Sequence, residues 1–216
     1  MTWYLVRASG MVAYALLTGS MLWGLWLSTR TPAPQGRAWV LEVHKALGGV
    51  AVLATLGHMA ALLADSYVSF GPADVLVPFA SAWNPVAVAW GVIAAWLLGA
   101  VQVTSMLRRT LTKRSWRKVH LASFAAYLLA AVHFLTAGTD AGNPIVLGLT
   151  LGSLTMVAVA TVVRATQHLG RPVPRKETPT WNRPPTPVAA MPAGPPPVSA
   201  AAPPRSVPAP PWPPAS

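Results

Sequence analysis

The chain has 216 residues, of which 53% are hydrophobic and only 10% charged, with a mean hydropathy of +0.46. An ordinary soluble domain carries about 25% charged residues, so composition excludes a water-soluble globule and places most of the chain in lipid. The absence of cysteine excludes disulfides, iron–sulfur clusters, thiolate-bound zinc, thiol redox chemistry and covalently attached c-type haem.

Five stretches lack any Lys, Arg, Asp or Glu. They are Ala8–Thr29 (22 residues), Ala46–Ala64 (19), Val75–Leu107 (33), Val119–Thr139 (21) and Ala141–Val163 (23). A helix needs about 20 mostly apolar residues to cross some 30 Å of hydrocarbon. The spacing predicts helices over about 3–27, 39–64, 83–107, 118–137 and 145–165. These segments are too long for barrel strands and do not alternate. The expected fold is therefore all-α, a polytopic membrane bundle of five spans. The first helix reads as a permanent span, because it has no basic leader and no small-residue cleavage pattern. Pro32, Pro34, Pro72 and Pro78 fall in connections, Pro85 near the start of the third helix, and Gly142-Asn143-Pro144 forms a turn before the fifth. Residues 1–168 form the bundle. Beyond them, Pro and Ala supply 25 of the 46 residues in 171–216, so 169–216 is expected to be a disordered, partly polyproline-like tail.

The net charge is +11, and its distribution orients the chain. The third connection holds Arg108, Arg109, Lys113, Arg114, Arg117 and Lys118 without an acid, which places it in the cytoplasm. Arg30 and Arg37 then fall inside, Asp65, Asp74 and Asp140 outside, and the tail with Arg164, Arg171, Arg175 and Lys176 inside. All five compartments agree on an outer N-terminus and an inner C-terminus. The protein is thus expected to be a multi-pass protein of the plasma (inner or cell) membrane. Its basic residues act as orientation signals beside anionic lipid, and nucleic acid is not expected as a partner.

Four of the five histidines lie inside predicted spans: His44 and His58 on the second, His120 and His133 on the fourth. Ionisable residues in a bilayer are costly and mark function. A neutral histidine bonded to a neighbouring helix is the ordinary account of one such residue, but less so of four paired on two helices. Fourteen residues separate the first pair, about 21 Å of helix, and thirteen the second, about 19.5 Å. The two helices run parallel, so His44 and His120 share an inner level and His58 and His133 an outer one. Two histidines at one depth can ligate both faces of a planar macrocycle, giving two stacked bis-histidine haems. On an ideal helix, however, thirteen residues turn about 140°. The fourth helix needs either a local bulge or haems on different sides of it. Gly48, Gly49, Gly57 and Ala125, Ala126, Ala130 and Ala131 are small enough to admit a flat ligand, or simply to pack helices closely. Lys45, Arg37, Arg117 and Lys118 are candidate partners for inner propionates. Arg7 is a candidate for an outer propionate, or a residue that snorkels to headgroups. Zinc fits less well, since histidines 13 or 14 apart cannot share one ion. His168 is expected to face solvent.

The segments RASGMVAYALL, VHKALGGVAVLATLGH (His44 to His58) and SWRKVHLASFAAYLLAAVHFL (His120 to His133) resemble the ferric reductase-like transmembrane domain. That family includes ferric reductases, NADPH oxidases and the haem-binding membrane subunit of the bacterial methionine sulfoxide reductase system. The resemblance covers about residues 3–165. It implies haem b at two sites, with His44 paired to His120 and His58 to His133, and electron transfer across or within the membrane. Many members continue into a flavin- and nicotinamide-binding domain, whereas this sequence continues into the Pro-rich tail. A separate donor, a flavoprotein on the basic loop or a quinol in the bilayer, is therefore expected, with an acceptor outside. The competing readings are a non-catalytic scaffold recruiting partners through the tail and a histidine-lined transporter. The few other polar residues on the histidine helices weigh against the transporter.

Overall fold

The computed structural model describes residues 2–29, 34–66 and 68–169. The Pro-rich tail lies outside the described residues, as does the side chain of His168. Six helices follow in order: α1 (Thr2–Ser28), α2 (Pro34–Leu63), α3 (Pro72–Leu76), α4 (Pro85–Met106), α5 (Lys113–Ala137) and α6 (Pro144–Leu169). Five are long and apolar enough to cross a membrane, and no strand occurs among the described residues. The protein is an all-helical, polytopic membrane bundle.

Helix starts follow local chemistry. Four of the six helices begin on a proline, whose missing N–H is harmless in the first turn. At α5, Thr112 caps the end, its Oγ1 accepting from the Ser115 amide at 3.2 Å. The Asn143 Oδ1 accepts from the Ile145 amide at 2.9 Å, stabilising the turn into α6. The sequence reading did not anticipate α3, a single turn. There the Gly71 amide donates to the Asp74 carboxylate at 2.6 Å.

The bundle is built from two antiparallel hairpins. α1 packs along α2 and α4 along α5, while α1 also touches α5 and α6. α2 and α5, which carry the four histidines, stay apart instead of packing on each other. Large apolar side chains point outward: Leu53 is 67% exposed, Leu121 62% and Leu149 71%. In water this would be costly, at about 25 cal/mol per Å² of apolar surface; in a bilayer it is the expected lipid-facing belt.

The core joins α1, α5 and α6 through Met21, Leu25, Tyr127 and Val157. Within it, Ser153 Oγ donates to the Thr150 carbonyl at 2.8 Å and accepts from Tyr127 at 3.0 Å, with Tyr14 Oη 2.8 Å away. One hydroxyl thus serves two phenols, using both of its lone pairs. Ser153→Ala is expected to destabilise the bundle by about 1–2 kcal/mol, more than Tyr14→Phe, as thermal unfolding in detergent will measure.

A second tie closes one end of the bundle. Arg7 on α1 forms a bidentate ion pair with Asp140, between α5 and α6, with Nε to Oδ2 at 2.8 Å. Arg7→Gln and Asp140→Asn are each expected to lower Tm. The double variant should lose less than the sum, because each single change leaves one charge without its partner.

Candidate functional site

Three of the four histidine rings are held by a repeated backbone device. His44 Nδ1 donates to the Ser20 carbonyl at 3.0 Å, His58 Nδ1 to the Val6 carbonyl at 3.0 Å, and His133 Nδ1 to the Ala87 carbonyl at 2.8 Å. Each of these rings also lies against a glycine four residues after its carbonyl. A Cβ at Gly24 would sit 3.0 Å from His44 Cε1, one at Gly10 3.1 Å from His58 Cε1, and one at Gly91 2.7 Å from both Cε1 and Nδ1 of His133.

The spacing of four has a physical reason. In an α-helix the carbonyl of residue n−4 already accepts from the amide of residue n. Its oxygen keeps a second lone pair. With no Cβ at n, an imidazole from the neighbouring helix can lie across the backbone and reach it. The bond fixes the proton on Nδ1 and leaves Nε2 with its lone pair, the tautomer that ligates metal.

The histidines come in two couples. The ring centroids of His44 and His120 are 6.1 Å apart and their planes are 83° from parallel. Metal–imidazole bonds of about 2.0–2.1 Å, plus about 1.1 Å from nitrogen to ring centre, put two trans ligands on one metal about 6.4 Å apart. The observed separation therefore suits a shared iron. His58 and His133 line a single cavity together with Gly10, Gly91, Arg7 and Asp140. Among the described residues, no group of three or more His, Asp or Glu side chains converges on one point. Each couple thus presents two imidazoles. Four buried polar side-chain atoms have no hydrogen-bond partner among the described residues: Trp23 Nε1, Ser105 Oγ, Trp116 Nε1 and His120 Nδ1. All lie toward the end of the bundle bearing the basic loop. Of these, the Trp23 indole and the Ser105 hydroxyl are donors that suit an anionic acceptor, for example a carboxylate of a haem.

α5 is α-helical throughout, with no bulge between His120 and His133. The 13-residue spacing is accommodated by facing: His133 reaches α4 at Ala87, while His120 turns to His44 on α2.

The charged candidates fare differently. Arg7 lines the His58–His133 cavity but is bonded to Asp140, which the sequence reading had used only to orient the chain. Lys45 pairs with Glu42 at 2.7 Å on the surface. Arg37, Arg117 and Lys118 are exposed. Gly49 and Gly57, beside the histidines in sequence, face open space, and Gly48 faces Ser20 and Gln102.

The sequence reading missed Gly10, Gly24 and Gly91. A signal for two of them was present. Gly10 and Gly24 are fourteen residues apart on the helix antiparallel to the one where His44 and His58 are fourteen apart.

Residues 9–131 match the family described as ferric reductase like transmembrane component. The match contains His44, His58 and His120 and ends two residues before His133. No curated protein and no solved structure matches the chain. The match spans more than half of the sequence, and with five spans and paired intramembrane histidines the chain belongs to the ferric reductase-like transmembrane component family.

Proposed function

We propose that this protein is the membrane electron-transfer component of a ferric reductase-like system. In this reading it holds one haem b between His44 and His120 and another between His58 and His133. One observation carries the reading: three imidazoles are pinned through Nδ1 to backbone carbonyls, which leaves Nε2 free to ligate. Bound haem supplies a reversible one-electron couple.

The chain's own residues do the rest. Ser20, Val6 and Ala87 orient the ligands and raise their basicity through Nδ1. The two imidazoles of each couple would leave a bound haem no open position, which would favour outer-sphere transfer over binding of a substrate at the metal. The lipid-facing apolar belt keeps water from both sites. The basic loop from Arg108 to Lys118 faces the cytoplasm by the positive-inside rule and offers an acidic flavoprotein a docking surface. A quinol in the bilayer is the other donor class. The acceptor then lies on the side that carries Asp65, Asp74 and Asp140.

The test is a reduced-minus-oxidised spectrum of the purified full chain, with the haem-to-protein ratio determined. The expected result is a low-spin b-type spectrum at two haems per chain. A colourless preparation from haem-replete cells would end the proposal.

A further inference from the structure

His120 is the exception among the four ligands. Its Nδ1 is buried and has no hydrogen-bond partner among the described residues, whereas the other three donate to carbonyls at 2.8–3.0 Å. The reason lies in the helices. His120 is turned about 140° from His133 by its 13-residue spacing, away from the face that meets Gly91. Counting back along antiparallel α4 from the Gly91–His133 contact reaches Thr104 at the level of His120. Thr104 is not a glycine, and its hydroxyl is bonded back to the Ala100 carbonyl at 2.7 Å. α4 therefore offers His120 no backbone cradle at that level, and the neighbouring Ser105 hydroxyl makes no hydrogen bond to it.

A stack takes the place of the hydrogen bond. Trp116, one turn earlier on α5, lies 4.9 Å from the His120 ring at 21°. The Arg108 guanidinium sits over Trp116, 4.8 Å from a ring centroid. Trp116 Nε1 is itself buried and has no hydrogen-bond partner among the described residues. Arg108 thus lies one ring beyond His120 in the same stack. At the opposite end, Arg7 is paired with Asp140.

We propose that Trp116 is the positioning residue of the fourth ligand, holding His120 by stacking where the others are held by hydrogen bonds. The His44–His120 site is thereby the more readily reduced of the two. This rests on the haem reading above. An imidazole whose Nδ1–H is bonded to a carbonyl is the more basic ligand and favours the ferric state. Without that bond the ferrous state gains, and axial ligation and second-shell hydrogen bonding are recognised controls on haem potential. Positive charge from Arg108, stacked over Trp116, disfavours the more cationic ferric iron and pushes the same way.

The experiment is a spectroelectrochemical titration of the full-length haem-loaded chain, alongside His44→Ala, which identifies the component belonging to that site. The component missing from His44→Ala should have the more positive midpoint. Trp116→Leu admits water to Nδ1, which supplies the missing acceptor. That midpoint should fall while the other stays, and Trp116→Phe should restore it. The 83° between the rings of His44 and His120 predicts a strongly anisotropic low-spin ferric EPR signal for this site, which Trp116→Leu should alter and Trp116→Phe preserve. Two haems with equal or reversed midpoints, or a Trp116→Leu variant unchanged in both readouts, would overturn this inference and leave the haem reading standing. A chain that binds no haem removes both.

Discussion

Gly91→Ala is expected to empty the His58–His133 site and halve the haem content of the purified protein. The added methyl would lie 2.7 Å from Cε1 and Nδ1 of His133 and 2.8 Å from Cγ. Those atoms belong to a rigid ring held against this same face of α4 by its bond to Ala87, so the added methyl pushes the ring off the helix, and its Nε2 leaves the ligating position. The helix itself does not suffer, since alanine is a better helix former than glycine by about 1 kcal/mol. Gly24→Ala and Gly10→Ala bring closest contacts of 3.0 and 3.1 Å, which a shift of a few tenths of an ångström relieves. These variants should show partial loss, at the His44 site and the His58 site respectively. Gly49→Ala and Gly99→Ala meet nothing within 4 Å and serve as controls with full content. Haem-to-protein ratios across the five variants check the order. Two haems per chain in Gly91→Ala would show that the cradle plays no part in ligation.

The second large effect is the grouping of the four single His→Ala variants. His44→Ala and His120→Ala should lose the same spectral component, and His58→Ala and His133→Ala the other, each keeping about half the absorbance. Truncating one imidazole leaves iron with a single protein ligand and an open face, so the affected site either loses its haem or becomes high-spin. Added imidazole should restore the low-spin spectrum where haem is retained, because the free base occupies the vacated position. Loss of one component in His44→Ala and the other in His120→Ala would rule out the proposed pairing.

Much of this architecture was legible in the sequence, because the gaps between charges measure the thickness of hydrocarbon. Those gaps located all five spans. They misplaced helix starts where helix and membrane do not begin together: α2 starts at Pro34 instead of 39, and α5 at Lys113 instead of 118. Proline and the Thr112 cap decide those starts, and both lie in the headgroup region where charge is cheap. The four histidines were legible because ionisable groups stand out in an apolar background. Their cradles were harder to see. A glycine carries no chemical signature, and its role depends on which residue of another helix lies opposite. The reading favoured Gly48, Gly49 and Gly57 because they adjoin histidines in sequence, yet a side chain on a helix is cradled by the neighbouring helix. Trp116 and the Arg7–Asp140 pair were hidden for the same reason, since both depend on packing and not on composition.

α1 contributes no ligand, yet its Ser20 and Val6 carbonyls hold both imidazoles of α2. This has a consequence for biogenesis. The first hairpin leaves the ribosome before α5 is made, and domains form their early contacts during synthesis. Half of each histidine couple can therefore be set in its tautomer while the chain is still growing. Both couples then become complete within the thirteen residues that separate His120 from His133, so under the proposed haem reading loading would follow the emergence of α5, and the two sites would become competent almost together.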